Sequence, residues 1–136
     1  MSGVYVTLSV GSEIYALPVE NVIEVAELGL ISPVPGTSAA VLGVRNLRGQ
    51  VLPVYDLAAI FGIERERPPE RLVVAEVGGR RAGLAIDEVT DVGLLPDMSE
   101  DSDSRFLVGS TLADEGLIGV VDVARVFQAL EEEAKA

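Results

Sequence analysis

The chain has no cysteine and no histidine among its 136 residues. Without cysteine it can form no disulfide, thiolate metal site or thiol nucleophile, and its redox compartment leaves no trace in the sequence. Without histidine it lacks the commonest general base and the commonest metal ligand, and every Ser-His or Cys-His arrangement is excluded. Basic residues are scarce as well: 10 Lys and Arg stand against 22 Asp and Glu, a formal charge of -12. A polyanion would be repelled, so neither nucleic acid nor an anionic membrane surface is expected as a partner. Apolar runs stay well below the roughly 18 residues that a membrane span needs. Ser9, Ser12 and Glu13 break up the first of them, so no secretory leader is expected. A soluble cytoplasmic protein with no direct membrane insertion is the expectation, and, once the motifs below are weighed, one with no catalytic residues, cofactor or metal.

What is present is short apolar runs rich in Val, Leu and Ile, separated by Gly, Pro and charged clusters. That spacing predicts a mainly β protein with strands at Val4–Val10, Glu13–Leu17, Val41–Leu47, Val51–Tyr55, Leu72–Val77, Arg81–Ile86, Leu107–Leu112 and Leu117–Val121. Gly11 and the pair Gly78-Gly79 suit tight hairpin turns, because glycine adopts positive φ without strain. Asp56 ahead of Leu57, Ile60 and Phe61, with Gly62 behind them, predicts a short capped helix. Asp122 ahead of Val123, Val126, Phe127 and Leu130 predicts a C-terminal helix with one apolar face. The stretches "PVENVIEV" and "IDEVTDV" carry apolar residues at helical spacing and are expected to form one turn each. "GLISPVPGTSA" (29–39) and "ERERPPE" (64–70) read as irregular, and "PDMSEDSDS" (96–104) as a mobile acidic loop.

The chain also repeats itself. "VGSEIYALPVENVIEV" (10–25) lies over "VGGRRAGLAIDEVTDV" (77–92), and "VLPVYDLAAIF" (51–61) over "LIGVVDVARVF" (117–127). The offsets are nearly equal, which indicates a duplicated unit: two related small β-barrels, approximately 1–66 and 67–136, within one domain spanning 1–136. Each half is too small to bury a good core alone, so the two are expected to share one.

Catalytic and metal motifs are weak. Gly78-Gly79 with Gly83 lacks the lysine of a phosphate loop, since Leu84 stands there. "DSDS" from Asp101 begins like a calcium loop, but Phe106 and Leu112 occupy the positions that need Gly and Glu. Asp87, Glu88 and Asp91 could serve acid–base chemistry if brought together in a closed pocket, making a small acidic-site hydrolase or cation-binding barrel the alternative from a different class. Their repeat counterparts Glu20, Asn21 and Glu24 argue instead for a repeated structural role.

The tip Asn46-Leu47-Arg48-Gly49 remains. Gly49 suits a turn and Leu47 can pack beneath it, but Arg48 presents a planar fork suited to a carboxylate, within the protein or across an interface. "GVRNLRGQVLPVYDLAAIFG" resembles the signature of the CheW family, the coupling proteins of bacterial chemotaxis. "VIEVAEL", "ISPVPG" and "GLAIDEVTDVGLL" extend the resemblance over almost the whole chain. The resemblance implies two intertwined, five-stranded SH3-like barrels and a non-catalytic scaffold. It further implies a chain that ties the cytoplasmic hairpin of a chemoreceptor (methyl-accepting chemotaxis protein) to the regulatory domain of a CheA-type histidine kinase. An adaptor of a non-flagellar chemosensory system is the nearest alternative. Carried over position by position, it makes Val22, Glu24, Gly43, Asn46, Leu47, Arg48, Gly49 and Val92 the partner-binding residues and predicts an ion pair between Arg48 and Glu24. Arg45 departs from the signature. With neither a phospho-accepting His nor the length for a receiver domain, a lone CheW-like module is expected rather than part of CheA or CheV.

Overall fold

The computed structural model describes residues 3–100 and 104–134. Ten strands and two helices follow one another: β1 (Val4–Val10), β2 (Glu13–Pro18), β3 (Val22–Glu27), β4 (Val41–Leu47), β5 (Gln50–Asp56), α1 (Leu57–Phe61), β6 (Arg71–Val77), β7 (Arg80–Ile86), β8 (Glu88–Leu94), β9 (Leu107–Ala113), β10 (Gly116–Val121) and α2 (Val123–Ala134). A 3₁₀ turn, Val19–Asn21, leads into β3. Among the described residues no helix is long and apolar enough to cross a membrane. The calcium-like start at Asp101, Ser102 and Asp103 lies outside the described residues.

The expected eight strands, the two hairpin turns and both helix caps are present. Asp56 accepts a hydrogen bond from Ala58 N, and Gly62 closes α1 in the left-handed conformation. Asp122 accepts from Arg125 N at the start of α2. The one turn expected in "PVENVIEV" forms as the 3₁₀ turn Val19–Asn21, but the residues after it, Val22–Glu27, and Glu88–Leu94 in "IDEVTDV", are strands rather than helical turns. Their β-branched residues (Val22, Ile23 and Val25; Val89, Thr90 and Val92) favour extended backbone, and each pairs along a hairpin that can accept another strand.

The strands form two five-stranded sheets, ordered β8-β1-β2-β10-β9 and β3-β6-β7-β5-β4. Neither sheet comes from one half of the repeat. The first hairpin, β1–β2, joins the last three strands, and the β6–β7 hairpin of the second half joins β3, β4 and β5. The exchange is sealed by matching parallel ladders, β2 with β10 and β5 with β7.

The main core is common to both sheets. Leu8, Val10 and Leu17 from one sheet meet Val73, Ala75, Leu84 and Ile86 from the other, and Leu57, Val126, Phe127 and Leu130 of the helices complete it. The opposite faces of β5, β6 and β7 bury Leu52, Val54, Leu72, Val74 and Ala85 in a second cluster. Strands buried on both faces show continuous apolar runs, as "RLVVAEV" does.

The joint between the halves is held by Arg65. Its guanidinium donates to Asp56 Oδ1 at the end of β5, to Ala85 O in β7 and to Asp87 Oδ1 after it. Asp87 Oδ2 accepts from Gly11 N in the β1–β2 turn at 2.7 Å, so one nearly buried arginine ties turns and strand ends of both sheets together.

Candidate functional site

The β4–β5 turn is built by its own residues. Asn46 Oδ1 accepts from Gly49 N at 3.0 Å, which replaces a backbone turn bond with a side-chain one. Gly49 takes φ 83, and Arg48 takes φ 54 as the one described non-glycine residue in the left-handed region. A long, unbranched side chain held there carries a small backbone cost. Leu47 turns inward and packs on the second core cluster.

Arg48 projects from that tip, its side chain 74% exposed, and its Nη1 lies 2.5 Å from Glu24 Oε1. Glu24 belongs to β3, at the far edge of the same sheet from β4. The pair therefore bridges two edge strands, which requires the sheet to curl into a barrel.

β3 inverts the usual pattern of an edge strand. Val22, Glu24 and Ala26 are half-buried, while Ile23, Val25 and Glu27 face solvent. The ion pair and the two exposed branched apolar side chains thus stand on opposite faces of one strand, whose outer edge is open. Exposed apolar residues in such a setting mark contact surfaces.

The other candidate residues divide by task. Val22 packs against the shared core. Gly43 is buried at an irregularity in the β4–β5 ladder, at φ 145, and an added Cβ would lie 2.2 Å from Ser32 O. Its surface is taken up by the chain's own backbone, through the bridge between Ser32 and Val44. The structure brings Glu24, Asn46, Leu47, Arg48 and Gly49 together at one tip. Val92 stands apart, 58% exposed on β8 at the edge of the other sheet.

Residue-by-residue reading missed Ile23, Val25, Val51, Leu94, Leu112 and Leu117, all exposed. A signal existed: Val25 aligns with Val92, and Val51 with Leu117, in the two repeats. The second tip is not a copy of the first, however. At the repeat offset Asp114 takes the place of Arg48 and Asp91 that of Glu24, so the charge pair becomes two carboxylates. Leu112 and Leu117 face each other across β9 and β10 beside it, both more than 60% exposed.

The three carboxylates of the acidic alternative, Asp87, Glu88 and Asp91, part company in the structure. Asp87 and Glu88 line a cavity of about 470 Å³ with Arg65, Arg67 and Glu70, while Asp91 is absent from its walls. Asp87 is already bound by Arg65 and Gly11. Asp91 accepts from Val92 N on an exposed strand edge. Among the described residues no group of three or more acidic side chains could hold a metal ion.

Two curled five-stranded sheets with an exposed charged tip and open apolar edges describe a scaffold for protein contacts. The chain belongs to the CheW family: the CheW-like domain matches residues 4–131. It is 32% identical over 139 residues to the chemotaxis protein CheW of Rhizobium meliloti, covering 95% of this chain and 90% of that one. It is also 32% identical over 138 residues to Protein FrzA of Myxococcus xanthus, covering 93% and 86%. Among solved structures, scaffolding protein TtCheW from Thermoanaerobacter tengcongensis superposes with a TM-score of 0.81 at 28% identity, over 90% of this chain and 86% of that one.

Proposed function

We propose that this chain is a non-catalytic coupling adaptor of a chemosensory array. It links the cytoplasmic hairpin of chemoreceptors to the regulatory domain of a CheA-type histidine kinase, from the cytoplasmic side of the membrane. The observation that carries this reading is the Arg48–Glu24 pair: a charged tip in left-handed backbone, fixed to an open edge strand whose other face exposes Ile23 and Val25. Such a surface offers main-chain hydrogen bonds, an apolar centre and a charged rim to a protein partner. Around that pair, Asn46, Leu47 and Gly49 shape the turn, Gly43 and Val22 hold the strands beneath it, and Val92 offers the matching edge of the second barrel.

The test is calorimetric titration of the purified chain into the CheA-type kinases of its own cell, with Arg48→Ala alongside. Weakened binding by a folded variant supports the tip as a kinase contact. Unchanged binding moves Arg48 to the receptor side, and absence of binding to any such kinase rejects the reading.

A second reading, an adaptor of a chemosensory system other than the flagellar one, draws support from the match to Protein FrzA. Its identity equals that of the match to the rhizobial CheW. Kinase choice in the same titration separates the two.

A further inference from the structure

Within the first half of the chain the ladders are β1–β2 and β4–β5, and β3 finds its partner only in β6. Within the second half they are β6–β7 and β9–β10, and β8 finds its partner only in β1. Every other ladder joins one half to the other. Isolated hairpins are marginal in water, so each half completes its sheets only by embracing another half. Nothing in those ladders requires that half to belong to the same molecule.

The covalent link between halves is the joint from Gly62 to Arg71. It is anchored at both ends, where Ile63 N donates to Ala58 O and Glu70 O accepts from Leu28 N. Between them lie Glu66, Arg67, Pro68 and Pro69, with neither helix nor strand. Two consecutive prolines stiffen the joint and favour extended backbone. A stiff, extended joint opposes the return of the chain onto itself that the closed monomer requires.

We infer that two copies of this chain exchange halves: the Glu66–Pro69 joint extends as a hinge, and each sheet is completed by strands of both copies. Arg65 keeps its pair with Asp56 within one copy and re-forms its bonds to Ala85 O and Asp87 across the copies, so the reciprocal dimer keeps the contacts of the monomer. Domain swapping is a low-cost route to dimers for this reason, and mass action raises the dimer with concentration.

The native chain has no cysteine. The variant Val4→Cys/Leu94→Cys therefore carries one possible disulfide, between exposed residues that face each other across β1 and β8. The full chain is unfolded, refolded at high concentration and oxidised until free thiol is lost, then separated by size-exclusion chromatography with light scattering. The expected result is a dimer fraction whose chains stay joined on an unreduced gel, and a monomer fraction that runs as single chains. Inserting Gly-Ser between Pro68 and Pro69 should lower the dimer several-fold. Absence of dimer in both the variant and the cysteine-free chain refolded in parallel overturns the inference. So does a dimer whose chains separate on the unreduced gel, which would be surface association.

Discussion

Arg48 and Glu24, 24 positions apart in sequence and on opposite edges of one sheet, meet at 2.5 Å on the surface of the barrel. An exposed ion pair contributes only about 0–1 kcal/mol to stability. Arg48→Ala and Glu24→Ala should therefore each shift the thermal midpoint by no more than a few degrees. The double charge reversal Arg48→Glu/Glu24→Arg should fold equally well. Binding should weaken several-fold with either single change, consistent with a charged pair on the rim of an interface. Paired calorimetric scans and titrations check both statements, and a large loss of stability with unchanged binding would make the pair structural.

Gly43 and Gly109 occupy equivalent places in the two barrels. An added Cβ at either would lie 2.2 Å from a backbone oxygen, of Ser32 and Ser99 respectively. Backbone cannot step aside as a side-chain end can. Gly43→Ala and Gly109→Ala should each cost roughly 2–4 kcal/mol, from overpacking and, at Gly43, positive φ as well. Urea unfolding measures this, and loss of partner binding in Gly43→Ala should follow its loss of structure.

The Arg65 clamp differs from the surface pairs. Its guanidinium is nearly buried against Asp56 and Asp87. Removing it strands two carboxylates in a partly dry site, so Arg65→Ala should cost about 2–4 kcal/mol. Arg81→Ala, which breaks a half-exposed pair with Glu76, should cost less than about 1 kcal/mol. A comparison of the two urea midpoints tests the contrast.

Tyr15 stacks on Phe61, with ring centroids 4.3 Å apart. Burial, then the nearby Glu13 carboxylate, pushes its pKa up from 10.0 to about 12. Burial, then Glu131, raises that of Tyr55 in the same direction. The folded state holds these protons where the unfolded chain releases them. Their stabilisation is whole below pH 10 and falls as the pH rises from there through the folded values, by about 2–3 kcal/mol for Tyr15. Unfolding midpoints measured across that range should drop, and less steeply for Tyr15→Phe.

Much of the fold was legible because local signals agreed with one another. Gly11, Gly78 and Gly79 marked turns, Asp56 and Gly62 bracketed α1, and the repeated segments marked paired units. β8, and β3 beyond its leading turn, were misread because Ile23, Val25 and Val92 face solvent, so hydropathy there records exposed apolar side chains rather than a core. The exchange of hairpins was hidden from residue-level patterns for a different reason. Equivalent strands in two repeats have similar pairing preferences, and alternation cannot say which copy a strand will choose. At the tip, the Arg48–Glu24 pair followed from family likeness, whereas the left-handed backbone of Arg48 left no mark in the sequence. Gly43 was visible as a family position, but its packing against Ser32 depends on a loop whose path the sequence does not disclose.

The exchanged hairpins bear on how such chains can be recombined. A chimera fused at the joint takes two strands of one barrel and three of the other from each parent, so both barrels become hybrids. A crossover that keeps a whole barrel from one parent needs two breakpoints, near residues 20 and 87, placed between each first hairpin and the strands that follow it. Chimeras divided there should inherit one parent's partner specificity per barrel, and libraries cut only at the joint will blend it in both.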